Sequence, residues 1–266
     1  NPLDNYAYNT VKRAIDVVAD PEYVECNLMT MPGLTENTLT EYMVDVCEDR
    51  ADALAIIDLD GGYVPKSETT DSESTRRGSV ATVVSNLRAR ALNSSYGCCY
   101  YPWVQVRAAA DRTGGEVWVP PSVVALGTMA SAEEKSSGVW FAPAGFNRGG
   151  LNNQGSGPGA AGITVLNVRE RLSTSDRDKL YEQGINPIAK FPAEGIVVFG
   201  QKTLQQTKSA LDRINVRRLL IYVKKEISIM ASQVLFDQNV QVTWDRFTSM
   251  VNPFLANVIS QFGLTG

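Results

Sequence analysis

Apolar and polar positions alternate so as to divide the first half of the chain into helix-like and strand-like segments. YNTVKRAIDVVAD (8–20) has helical spacing, whereas YVECNLM (23–29) is a β-like run ending at the turn signal Met31-Pro32-Gly33. In TENTLTEYMVDVCEDRAD (35–52), Leu39, Tyr42, Met43, Val46 and Cys47 recur at i, i+3, i+4 spacing. That spacing predicts a helix, with Thr35 as its N-cap. ALAIIDL (53–59) predicts a buried strand, and SVATVVSNLRARAL (79–92) a further helix. YGCCYYPWVQV (96–106) predicts one strand, with Pro102 marking an edge or a bulge. Strands separated by helices of this length require crossover connections, so the expected fold is α/β, a largely parallel sheet with helices on its faces.

The second half follows the same logic less regularly. DRTGGEVWVPP (111–121) predicts a turn and short strand, and Pro120-Pro121 opens a helix where a missing N–H is harmless. GITVLNVRE (162–170) predicts a strand. STSDRDKLYEQG (173–184) predicts a helix capped by Ser173 or Ser175, with Gly184 just past its end. Two long helical patterns close the chain. The first, 210–236, carries Leu211, Ile214, Leu219, Tyr222, Val223, Ile227 and Met230; the second, 242–263, carries an apolar stripe from Trp244 to Phe262. Pro253 is expected to kink or split the second. Two stretches escape any periodicity. Residues 61–78 are polar and predict a mobile loop away from the core, and 137–162 are too glycine-rich for a packed element.

Composition narrows the chemistry. With 266 residues, 44% hydrophobic and 20% charged, the chain can bury a sizeable core. A net charge of −4 argues against general nucleic-acid or membrane-surface binding, and no apolar run is long enough to insert in a membrane. Histidine is absent, which removes Ser-His-Asp and Cys-His triads and histidine metal sites. Cys26, Cys47, Cys98 and Cys99 lack metal spacing. They read as free thiols, with Cys98 and Cys99 pointing to opposite faces of a strand. No cofactor is implied. The chain starts at Asn1 and stops at FGLTG soon after a helical pattern, so residues are expected to be missing at both ends.

Four places could still carry function. GIVVFGQKTL (195–204) has two glycines at P-loop separation, but Gln201 displaces Lys202 and Thr203 by one position. The intervening Ile196, Val197, Val198 and Phe199 prefer a buried strand, so strand and turn is the favoured reading and nucleotide binding the alternative. Gly155-Ser156-Gly157-Pro158-Gly159 leads into a β-like run, which suits a surface loop better than a phosphate cradle. Asp58 and Asp60 end a strand, where α/β folds place ligands; the plain reading is that they help the chain turn and stay solvated. Arg217, Arg218, Lys224 and Lys225 form a basic stripe opposite the apolar face of a helix, either solvated or docking an acidic partner.

Six segments in order, across 120–262, carry a resemblance. They are PPSVVALGTMA (120–130), GVWFAPAG (138–145), GINPI (184–188), GIVVFGQKTL (195–204), INVRRLLIYVKKEI (214–227) and VLFDQNVQVTW (234–244). Together the chain resembles the contractile tail sheath proteins of bacteriophages, and related injection machines. Ser136 and Ser137 stand near where the family often has an acidic residue, and 147–162 looks expanded. The resemblance implies a structural virion protein and no enzyme, with a subtilisin-like α/β core over 1–193 and a partial C-terminal sheath domain over 194–266. It implies other sheath subunits, the inner tail tube, the baseplate and the tail terminator as partners, with assembly in the host cytoplasm. Arg217, Arg218, Lys224 and Lys225 become candidates for contact with the tube or an adjacent subunit. The alternative is a nucleotide- or metal-binding α/β enzyme using Asp58, Asp60 or 195–203.

Overall fold

The computed structural model describes residues 5–107, 115–152 and 159–265. The chain starts with helix α1 (Tyr6–Val18), strand β1 (Leu28–Thr30), α2 (Asn37–Arg50) and β2 (Leu54–Ile57). There follow α3 (Glu73–Arg76), α4 (Val80–Arg90), β3 (Gly97–Tyr101), β4 (Val104–Arg107) and β5 (Glu116–Val119). Then come α5 (Pro121–Ser136), α6 (Gly145–Arg148), β6 (Val165–Val168), α7 (Thr174–Glu182), β7 (Ile185–Phe191) and β8 (Gly195–Val198). Two long helices finish it, α8 (Ile214–Ser232) and α9 (Gln241–Ser260).

Among the described residues, the main sheet runs β1-β2-β3-β7-β8. Its first three pairings are parallel, and β8 closes it antiparallel to β7. The fold is thus mixed α/β and largely parallel, as the strand–helix alternation predicts. A smaller antiparallel sheet, β5-β4-β6, packs beside it.

Period-2 alternation sorts the central strands into two cores. Ala55, Ile57, Cys99 and Tyr101 face one side, where α1, α2, α4 and α7 supply Ile15, Met43, Cys47, Val83 and Leu180. Leu54, Ile56, Cys98 and Tyr100 face the other, packed on Val124 and Met129 of α5, the small sheet, and Ile214 and Ile221 of α8. The adjacent cysteines do point to opposite faces, and all four thiols are free. Burial pushes the Cys47 thiol up to about 12.

Several expectations are corrected. The 96–106 run is two strands, β3 pairing with β2 and β7 in the main sheet and β4 with β5 and β6 in the small one, with Pro102 between them. The 23–29 run yields only β1 at its end; Tyr23 and Val24 make turn bonds to Asp20 instead. The cap of α2 is Glu36, whose carboxylate accepts from Leu39 N–H at 2.7 Å, not Thr35. A strand over Ile185–Phe191 went unpredicted, because Pro187 and Lys190 interrupt its apolar run. Helix α9 continues through Pro253 without being split.

The polar stretch 61–78 is also less loose than expected. It contains α3, and Tyr63 packs on Trp103 at 5.5 Å and on Trp118 at 5.7 Å. Arg169 lies 4.6 Å from the Tyr63 ring and pairs with Glu73 at 3.1 Å, while Arg77 pairs with Glu170 at 2.7 Å. The stretch is thereby clasped to the small sheet. Gly155-Ser156-Gly157-Pro158 lies outside the described residues.

Candidate functional site

The carboxyl end of β2 holds the acidic pair. Asp58 is 1% exposed, so the solvated role expected for it is corrected. Its carboxylate accepts from Gly33 N–H at 2.8 Å, Ser122 N–H at 3.1 Å and Ser122 Oγ–H at 2.7 Å. Ser122 opens the second position of α5, where helical N–H groups have no partner of their own. Asp58 therefore ties the start of the proline-led helix and the Pro32-Gly33 turn to the central sheet. Burial lifts its carboxyl above the ordinary range, against the three donors that pull it down. Asp60 turns outward and accepts from Asn86 Nδ2 at 3.1 Å. Among the described residues no group of three or more Cys, Asp or Glu side chains could hold a metal ion.

The 195–204 stretch is a buried strand and turn. Residues 195–198 form the ladder with 188–191, and Phe199 N–H donates to Pro187 O. Leu151 N–H donates to Ile196 O, and Val198 N–H to Gly149 O. The amides that a phosphate cradle would need are thus spent on the sheet and its neighbour. Lys202 Nζ donates to Tyr181 O at 2.9 Å and sits 4.4 Å from that ring, so its ammonium is held by α7. Thr203 Oγ–H donates to Leu211 O.

Asn186 organises this region, and its role was hidden in the sequence. Its amide donates to Cys99 O at 3.0 Å and Lys202 O at 2.8 Å, and accepts from Lys202 N–H at 2.6 Å. One buried side chain therefore joins β3, β7 and the turn after β8. A Cβ at Gly200 would lie 2.9 Å from its Oδ1, so the second glycine of the would-be P-loop serves packing. A buried amide within a strand-like GINPI is the signal that could have marked it.

The basic cluster does not act as one stripe. Arg218 is 4% exposed and pairs with Glu133 of α5 at 2.8 Å. Arg217 is buried as well, donating to Ser95 Oγ and stacking 4.0 Å from the Tyr96 ring. Both pin α8 to the core, and the solvated stripe is corrected for them. Lys225 pairs with Glu25 at 2.6 Å, and Lys224 alone of the four is exposed. Trp140 completes the docking of the last helices: its indole N–H donates to Gln261 O at 2.9 Å, and Asn215 Nδ2 donates to Trp140 O. Its ring lies with Leu219, Tyr222, Phe254 and Val258.

With this geometry in place, the family match decides the class. Residues 7–204 match the family described as phage tail sheath protein central domain. The chain belongs to the phage tail sheath family.

This sheath chain is 40% identical over 141 residues to the tail sheath protein of Vibrio phage KVP40, covering 53% of the chain and 19% of that relative. It is 30% identical over 218 residues to the tail sheath protein of Salmonella phage ViI, covering 79% of the chain and 32% of that relative. The chain thus spans less than a third of the length of the curated relatives it matches. Among solved structures, the sheath complex of the PVC extracellular contractile injection system in its contracted state superposes with a TM-score of 0.71 at 22% identity, covering 96% of this chain and 61% of that one. The contracted helical sheath of the anti-feeding prophage gives 0.67 at 23%, covering 100% and 62%. At that identity the likeness concerns the fold.

The sheath segments acquire physical roles. Gly127 of PPSVVALGTMA lets α5 approach the backbone of Ala161, where a Cβ would meet O at 2.4 Å. Trp140 of GVWFAPAG clamps α8 and α9, and Asn239 in VLFDQNVQVTW accepts from the Trp244 indole at 2.7 Å.

Proposed function

We propose that this chain is part of a structural subunit that polymerises around an inner tail tube and contracts to drive that tube through a host envelope. The family match over residues 7–204 carries the reading. In it, the protein works as a mechanical element of the virion and performs no catalysis. Its neighbours are further sheath subunits, the tube, the baseplate and the tail terminator, and it is assembled in the host cytoplasm. Contraction requires rigid subunits with two alternative sets of contacts, which suits a core filled on both faces of one sheet.

A division into core and C-terminal sheath domains, expected near residue 194, belongs to the same proposal. The β7–β8 hairpin spans that expected boundary, and Ile196, Val198, Ile214 and Ile221 beyond it still pack on the main sheet. Lys224 and Lys225 are the members of the basic cluster proposed to reach the tube or an adjacent subunit, with Arg217 and Arg218 holding their helix in place. Electron microscopy of the complete protein tests the reading: regular sheath or polysheath tubes support it, and monodisperse particles under all assembly conditions would overturn it.

A further inference from the structure

The turn joining α8 to α9 is a protruding apolar tip. Ile229, Leu235, Phe236, Val240, Val242 and Trp244 are all exposed there. No other stretch of the described residues exposes so many large apolar side chains so close together. The tip is held in shape by its own polar groups. The Trp244 indole N–H donates to Asn239 Oδ1 at 2.7 Å, Thr243 Oγ–H donates to Gln238 O at 2.8 Å, and Arg246 pairs with Asp237 at 3.2 Å. Trp244 can therefore be buried without stranding its one donor. A patch that is apolar, prominent and already ordered has the character of an interface anchor.

A groove suited to it lies on the same chain. Between α1 and the start of α2, Ala7, Tyr8, Val11, Leu34 and Leu39 line a groove of about 440 Å³, roomy enough for an aromatic side chain. Its polar lining residues are already engaged. Asn5 Oδ1 accepts from Ala7 N–H at 2.9 Å, the Tyr8 hydroxyl from Thr38 Oγ–H at 3.1 Å, and the Glu36 carboxylate from Leu39 N–H at 2.7 Å. What the groove offers is apolar wall. Charges beside it are mixed, Lys12 with Asp16 and Glu36, as are Arg246, Asp237 and Asp245 at the tip, so burial of apolar area carries the match. Helices α1 and α2 pack on one face of the main sheet and α8 on the other. A convex and a concave apolar surface at different places on one chain meet head to tail, a contact that propagates from copy to copy instead of closing on a pair.

We propose that the α8–α9 tip of one subunit inserts Phe236 and Trp244 into the α1–α2 groove of a second copy. This inference rests on the sheath reading and specifies one contact within it.

The test uses assembled sheaths of the complete protein, built from equal parts of Phe236→Cys chains and Ala7→Cys chains and treated with a copper–phenanthroline oxidant. The expected product is a disulfide joining one chain of each kind at these two positions. Normal sheaths in which the Phe236→Cys thiol forms no link, or links only to Cys26 or to the inner tube, would overturn this contact while leaving the sheath reading intact. Failure of the unaltered protein to form sheaths would overturn that reading, and this contact with it. Phe236→Ser combined with Trp244→Ser, and separately Ala7→Glu at the exposed lip of the groove, are each expected to lower the assembled fraction about tenfold while the free chain keeps its circular dichroism. Unchanged assembly by either variant would contradict the proposal.

Discussion

Helices α2 and α9 show comparable apolar stripes in sequence, yet they end in different surroundings. Helix α2 buries Leu39, Met43, Val44, Val46 and Cys47 against the sheet, while α9 buries only Val258. Trp244 near the start of α9 is 61% exposed, and Phe236 just before it is 97% exposed. Periodicity therefore reports which face of a helix is apolar; it does not report whether the same chain covers that face. Helix α2 is sandwiched by α1 and the central strands, whereas among the described residues α9 packs its apolar face on the rest through the Trp140–Leu219–Val258 cluster, its start held by polar bonds to the segment just before it. The first helix belongs to the rigid body, and the second is held at one end of it.

This difference sets an order of expected effects. Truncating the interior under α2 should cost most. Met43→Ala or Ile57→Ala removes a fully buried side chain and is expected to lower unfolding stability by about 2–5 kcal/mol in denaturant titration. A loss below about 1 kcal/mol would mean the core is looser than its packing indicates. Asp58→Ala comes next. It strands the Ser122 hydroxyl and two N–H groups, for an expected loss of about 2–3 kcal/mol, with Asp58→Asn recovering part of it. At the other end, Trp244→Ser or Phe236→Ser is expected to change stability by less than about 0.5 kcal/mol. A large loss there would show that the exposed stripe is covered in the free chain and would erase the contrast with α2.

The smallest effect concerns pH. Burial raises the Asp58 carboxyl in the folded chain, so the native state binds its proton more readily than the unfolded state does. Its contribution to stability is then greatest at low pH and declines as pH rises from the ordinary carboxylate value through the raised one. Subtracting the stability profile of Asp58→Asn from that of the unaltered protein should expose this decline. A contribution rising with pH would reverse the assignment of burial as the dominant cause.

Much of the α/β core was legible because its elements obey local rules. Residues 173–184 carry their cap signal, and Ser173 accepts from the first turn as one of the two serines expected to, while Ser79 caps the 79–92 helix in the same way. The 53–59 run reads directly as a buried strand, β2, between β1 and β3. What remained hidden is non-local. The small sheet depends on β4 leaving β3 for new partners, and no spacing within 96–106 encodes those partners. The fate of Arg217 and Arg218 depends on Glu133 and Ser95, which lie 85 and 122 residues away in sequence. For the same reason Asn186 looked ordinary, although it is the hydrogen-bond centre where strand and turn meet. The near-P-loop was resolved correctly by its own residues, since Ile196, Val197 and Val198 can only satisfy a strand.

The account turns on a rigid body carried between two lattices. The most direct measurement is a pair of cryo-electron microscopy reconstructions of the complete protein on its inner tube, one before triggering and one after contraction. The two-faced sheet core, strands β1–β8 with α2, α4, α5, α7 and α8 packed on them, is expected to superpose between the two states while subunit contacts are exchanged and the sheath becomes shorter and wider. A core that rearranges its strand order or packing between the states, or a lattice unchanged by triggering, would contradict it.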